Sequence, residues 1–309
     1  MILGDPRDTA AAVTPGARAT LDDLFHRAAQ PNPDVLALAD PPNRAQFTDG
    51  APRRLSYAQA DRLISAIAER LHGFGLPIDS IIGIQLPNTV EHVLALLGVL
   101  RAGMIAAPLP VLWRRSEMVA ALGRVDAKAL ITCGQIGTAD HAVIAMQAAA
   151  DIFPVRYVCA FGSGLPDGVV ALDDLFGREN PQPPPLDAAR AGNRASHLAV
   201  ITWETTADGV VPVARNHAEL VAGGLAVMLE GRFESGAALL SALPPSSFAG
   251  LSVAILPWLI TRGSLTLHHA FDPETLAQQL HEGCDAAALP APSFRACSRR
   301  DFSRPMCAA

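Results

Sequence analysis

IIGIQLPNTVEHVLALLGVLRAGMIAAPLPVLWRRSEMVAALGRVDAKALIT, residues 81–132, sets the fold class. IIGIQL (81–86) reads as a buried strand, and Val90 to Ala102 is apolar almost all round, the pattern of a helix covered on both sides. MIAAPL (104–109) and AKALIT (127–132) are further short apolar runs. Such strand–helix alternation predicts parallel sheets with covered faces. Right-handed crossovers then place Ile81–Leu86 and Ala129–Thr132 side by side in one sheet, with the 90–102 helix against it.

The same grammar extends in both directions. SYAQADRLISAIAERLHGFG (56–75) opens with Ser56 and Gln59 at capping-box spacing and sets Ala60, Leu63, Ile64, Ile67 and Leu71 on one face. Gly73 and Gly75 supply its stop. VRYVCA (155–160) is another strand, after which the periodicity weakens into a proline-rich connector, ENPQPPPLDAARAGNRAS (179–196). Alternation resumes with a strand near 198–202, a helix from about 217, and the strand ALLSAL (238–243). A helix over 249–261, the strand SLTLH (264–268), a helix from Asp272 and the strand DAAALP (285–290) complete it. Residues 295–309 have no apolar period and read as an irregular tail.

Composition excludes several classes. A net charge of −6 gives no general affinity for nucleic acid or anionic membrane. No apolar run is long and uninterrupted enough to span a bilayer, and the N-terminus MILGDPRD lacks the order of a signal peptide. Five scattered cysteines show neither a disulfide framework nor zinc spacing, and His268-His269 has no carboxylate or thiolate pair beside it, so no metal site is expected. A soluble protein of the reducing cytoplasm fits best. Lys128 is the only lysine among 24 basic residues, so any mechanism that needs a lysine has one to draw on.

The stretch with the most chemistry is ITWETTADGVVPVARNHAEL (201–220). A strand feeds a Thr-rich turn, and a helix starts near Asn216, the setting in which backbone N–H groups and hydroxyls hold phosphate. Yet the stretch has no lysine and one glycine, Gly209.

The order and spacing of these segments, from about Thr20 to Phe294, resemble the N-terminal part of the adenylate-forming (AMP-binding) superfamily, the acyl-CoA synthetases and their relatives. Residues 55–76 look like the family's first long helix, 81–132 follows its pattern segment by segment, and LPPSSFAGLS (243–252) and 271–294 are similar to later segments. The resemblance implies an α/β domain over 18–294 built from two stacked sheets with covering helices. It divides that domain into a subdomain at 76–188 and a discontinuous one formed by 18–75 with 196–294. It also implies ATP-dependent activation of a carboxylic acid and thioester formation with coenzyme A, with Mg2+ as the companion of ATP.

Three departures qualify that expectation. In the family's Ser/Thr/Gly-rich phosphate loop this chain keeps Thr202, Thr205, Thr206 and Gly209 but has Trp203, Glu204 and Ala207 at small-residue positions. Val210 or Val211 stands where the family has lysine, and Arg215 is the one cation expected nearby. Ser246 and Ser247 replace an aromatic and a histidine before Phe248, Gly250 and Leu251, so Ser247, Phe248 and Gly250 are expected to line a reshaped acyl pocket, Ser246 or Ser247 serving otherwise as a helix cap. The family's adenine and ribose segments, magnesium-binding glutamate and catalytic lysine fall beyond residue 309, so no catalytic residue or metal ligand is assigned. The resulting expectation is a truncated, ligase-like chain with little or no activity of its own. The alternative is a non-catalytic module that holds an acyl ligand. An apolar face left bare near 284–296 would then drive self-association or binding of a partner chain.

Overall fold

The computed structural model describes residues 18–179, 181, 192–207 and 209–291. The expected tail, most of the connector and the last part of the expected bare face lie outside the described residues. The chain opens with helix α1 (Leu21–Ala29), strands β1 (Leu36–Ala39) and β2 (Arg54–Ser56), and helix α2 (Tyr57–Gly73). A regular series follows: β3 (Ile81–Ile84), α3 (Val90–Arg101), β4 (Ile105–Pro108), α4 (Arg115–Arg124) and β5 (Ala129–Cys133). A small hairpin, β6 (Gln135–Ile136) and β7 (Ala139–Asp140), leads to α5 (His141–Asp151), β8 (Tyr157–Phe161) and β9 (Val170–Ala171). Beyond the connector come β10 (Leu198–Thr206), β11 (Gly209–Asn216), α6 (His217–Glu230) and β12 (Ala238–Ser241). The last elements are α7 (Leu256–Thr261), β13 (Ser264–Leu267), α8 (Pro273–His281) and β14 (Ala286–Ala288).

Two main sheets result. One has the order β14-β12-β13-β1-β2, the other β11-β10-β4-β3-β5-β8-β9. Both are parallel except at one edge, where β2 and β11 run antiparallel to their neighbours. β3 and β5 pair directly, Ile82 opposite Ala129, as the 81–132 pattern predicts. Helix α3 is buried at every position, including Glu91, His92 and Arg101, because it is wrapped on all sides. Gly98 lets it approach α2: a Cβ there would lie 2.6 Å from Ile67 Cγ2. Asn88, at the entry to α3, donates from Nδ2 to the carbonyls of Ser241 and His268 and so ties the two sheets together.

The 201–220 stretch differs from its expected strand–turn–helix form. β10 runs on through Thr206 and returns as β11, so the Thr-rich segment is the distal half of a long antiparallel hairpin. Helix α6 then begins at His217, capped reciprocally by Asn216 and Glu219. Val210, Val211 and Val213 favour extended backbone, and Pro212 is tolerated because β11 is an edge strand. The hairpin is hydrogen-bonded through β10 to β4, so these strands extend the sheet of the 76–188 segment rather than the five-stranded sheet.

Candidate functional site

The hairpin is held by its odd residue. Trp203 turns inward, donates from Nε1 to the Pro108 carbonyl at 2.9 Å and meets the edge of Trp113 at 5.8 Å between ring centroids. Trp113 therefore packs on the hairpin. Thr202 is buried, and its hydroxyl donates across the ladder to the Val213 carbonyl. Thr205 and Thr206 are exposed near the tip, where the Thr206 hydroxyl donates to the Gly209 carbonyl at 2.9 Å. Gly209 has φ +107°, a conformation that L side chains rarely adopt.

Glu204 lies opposite Val211 in the ladder, and its carboxylate is 3.7 Å from Nη2 of Arg215. The same guanidinium stacks over the Phe248 ring, 4.5 Å from its centroid. Arg215 thus joins the two groups of residues that the sequence singles out separately, the Thr-rich hairpin and the 247–250 segment. Its Nε is buried with no hydrogen-bond partner among the described residues. A second cation, missed in the sequence because it is distant in the chain, is Arg124 on α4, which donates to the Val210 carbonyl at 2.8 Å.

Ser247 is a helix cap: its hydroxyl accepts from the Gly250 N–H and donates to the Pro244 carbonyl. Gly250 is required by space, since a Cβ there would overlap the Pro244 carbonyl. Phe248 is exposed enough, at 40%, to offer a face to a ligand. Behind it the helix takes a π-helical turn, Leu251–Ile255, a local form often found at functional sites. That turn carries Ser252, whose hydroxyl is buried without a hydrogen-bond partner among the described residues. A Cβ at Gly223 of α6 would lie 3.4 Å from the Ser252 Oγ and 3.9 Å from Phe248 Cζ, so the three residues share one locus. Ser252 was not singled out from sequence; the Gly223-Gly224 pair inside a helix was the available signal, because paired glycines mark close approach.

The histidines have structural partners. His217, at the start of α6, accepts the Leu21 N–H on Nδ1. His268 pairs through Nδ1 with Gln279 and accepts the Asp272 N–H on Nε2. No group of three or more His, Cys, Asp or Glu is placed to hold a metal among the described residues. The site therefore offers a guanidinium, an aromatic face and a buried hydroxyl, a combination able to orient an anionic, planar ligand.

The profile of the AMP-binding enzyme family matches residues 25–304. This chain belongs to that family. The family match agrees with the solved structures, which share the fold at low identity. The apo structure of Mycobacterium smegmatis MbtA superimposes with a TM-score of 0.77 at 22% identity, covering 95% of this chain and 52% of that one. An anthranilate CoA ligase, AuaEII, in complex with anthranoyl-AMP gives a TM-score of 0.74 at 18% identity, covering 93% of this chain and 52% of that one. Among curated family members, a salicyl-AMP ligase / salicyl-S-ArCP synthetase of Mycobacterium tuberculosis is 31% identical over 172 residues, 53% of this chain and 28% of the relative. The chain thus spans about half the length of these similar structures and less of the curated relatives.

Proposed function

We propose that this chain carries the carboxylic-acid-holding part of an adenylate-forming acid–thiol ligase and binds polyphosphate poorly. Arg215 carries the reading. A planar acid that displaces Glu204 would pair with the guanidinium while lying beside Phe248 and Ser252. Relatives named for salicyl, 4-hydroxyphenylalkanoate and naphthoate substrates support an aromatic or hydrophobic acid as the class.

ATP and Mg2+ fit the hairpin badly. Its side chains include no lysine, Glu204 adds negative charge where polyphosphate would lie, and Arg215 is engaged with that glutamate. Coenzyme A rests on family kinship alone. A cytoplasmic setting is supported by the buried, unbridged thiols of Cys133 and Cys159.

The test has two arms on the purified chain. Titration calorimetry should show an aryl carboxylate binding and Arg215→Ala weakening it, while acid-dependent ATP–pyrophosphate exchange stays at background. Robust exchange would overturn the weak-phosphate reading. Acid binding that Arg215→Ala leaves unchanged would remove Arg215 as the carboxylate partner. The second reading, a non-catalytic acyl-binding module, is favoured if the acid binds and MgATP produces no binding heat at any concentration tested, whereas weak but measurable MgATP binding favours the ligase-derived reading.

A further inference from the structure

A second site lies away from the hairpin, at the carboxyl ends of β3, β5 and β8. There a cavity of about 330 Å³ is floored by Leu86, Cys133 and Phe161 and rimmed by charge. Its place in the topology is informative. In the order β4-β3-β5-β8, the crossover from β3 goes one way to β4 and the next goes the other way to β5. The crevice between β3 and β5 is therefore a topological switch point, where open parallel sheets bind ligands.

The crevice is built against anions. The N-terminus of α3, which would otherwise attract them, is occupied: the Val90 N–H donates to the Asp40 carboxylate at 2.8 Å. Around the cavity, the carboxylates of Glu91, Asp49 and Asp173 outnumber the guanidiniums of Arg44 and Arg53. Arg44 binds Glu91 at 2.8 Å, and Arg53 bridges Glu91 and Asp173, so both cations are already committed. Glu91 is 1% exposed, lines the cavity, and keeps Oε2 without a hydrogen-bond partner among the described residues. Asp49 is exposed and clamps the loop after β8, accepting from the Ser163 N–H at 2.6 Å and from its hydroxyl. Gly162, at φ +111°, permits this, because a Cβ there would lie 2.8 Å from the Asp49 carboxylate. The result is a preformed cleft with an apolar floor and surplus carboxylate charge.

We propose that this crevice binds a small organic cation: an ammonium or amidinium group held by Asp49 and by the unpartnered Oε2 of Glu91, with an apolar body over Leu86 and Phe161. The site shares no residue with the hairpin, so its test is independent of the acid-binding reading.

The probes are phenethylamine and two isosteres, phenylacetate and 2-phenylethanol, titrated by calorimetry into the full chain. The amine should bind at least about tenfold more tightly than either isostere, a preference worth one charge-assisted contact. Asp49→Asn should weaken the amine about tenfold and leave the neutral 2-phenylethanol unchanged. Ala51→Trp, which fills the cleft from an exposed position and keeps every charge, should abolish binding of the amine and serves if the aspartate variant does not fold. Equal or tighter binding of phenylacetate, no measurable binding of the amine, or amine binding that survives Ala51→Trp would each overturn the proposal.

Discussion

Arg215 shows how one side chain can change what a loop recognises. Its guanidinium sits between the Glu204 carboxylate and the Phe248 ring, so its charge is turned towards Phe248 rather than the hairpin tip. Replacing Glu204 by serine and Val211 by lysine removes a repulsion and adds a cation at facing positions of the ladder. Each charge-assisted contact contributes about 1.5–3 kcal/mol, so the double variant should bind MgATP at least about tenfold more tightly in calorimetry. The same variant should lose nothing in thermal stability, because both positions are exposed. At this scale the sequence was informative about identity and silent about partners. The loss of lysine was plain, whereas the pairing of Arg215 with Phe248, and of Arg124 with Val210, joins residues far apart in the chain.

Secondary structure was legible wherever apolar period and chain order agreed, as along 81–132, where strand, helix and pairing all follow the pattern. The hairpin was not. Its second strand contains a proline and begins at a glycine, both ordinary turn signals, and only its edge position makes them acceptable. Trp203 was legible as a misfit in a small-residue loop, but its service as an anchor depends on the Pro108 carbonyl and Trp113. Trp203→Ala should therefore destabilise the hairpin first. A cost of about 3 kcal/mol is expected for removing a large, partly buried aromatic. Hydrogen exchange over β10 and β11 should rise in this variant while β3 and β5 stay protected; uniform loss of protection would show the hairpin is not a separate unit.

Across the whole molecule, buried histidines set the response to acid. His92 and His141 are buried and hydrogen-bonded through Nδ1, to the Pro87 carbonyl and to Gln85. Burial pushes both down to about 4, and His269 falls to about 4 for the same reason. An unfolded histidine protonates near 6.5 while these folded ones stay neutral, so stability is full above about pH 6.5 and is lost as pH falls towards 4. His92 and His141 each contribute up to about 3 kcal/mol to that loss. Asp40 acts in the opposite direction: burial and the nearby Glu91 raise it to about 6, so its proton stabilises the fold as pH drops below that value. With three histidines against one such aspartate, the urea midpoint should fall between about pH 7 and pH 4.5. His141→Gln should flatten the slope.

Asn88 gives the two sheets a clock as well as a bond. Its two hydrogen bonds reach Ser241 and His268, 153 and 180 residues along the chain, so neither can form until both layers are built and have met. Contacts of such long range, made by a side chain at the seam, belong to the last step of assembly. Asn88→Ala should then leave the folding limb of a chevron almost unchanged and raise the unfolding limb, by about tenfold in rate for a loss near 1.4 kcal/mol. A slowed folding limb would instead place the meeting of the layers before the rate-limiting barrier. On the expected outcome, the lifetime of the native chain is governed at the seam, while the speed of its formation is decided within each layer.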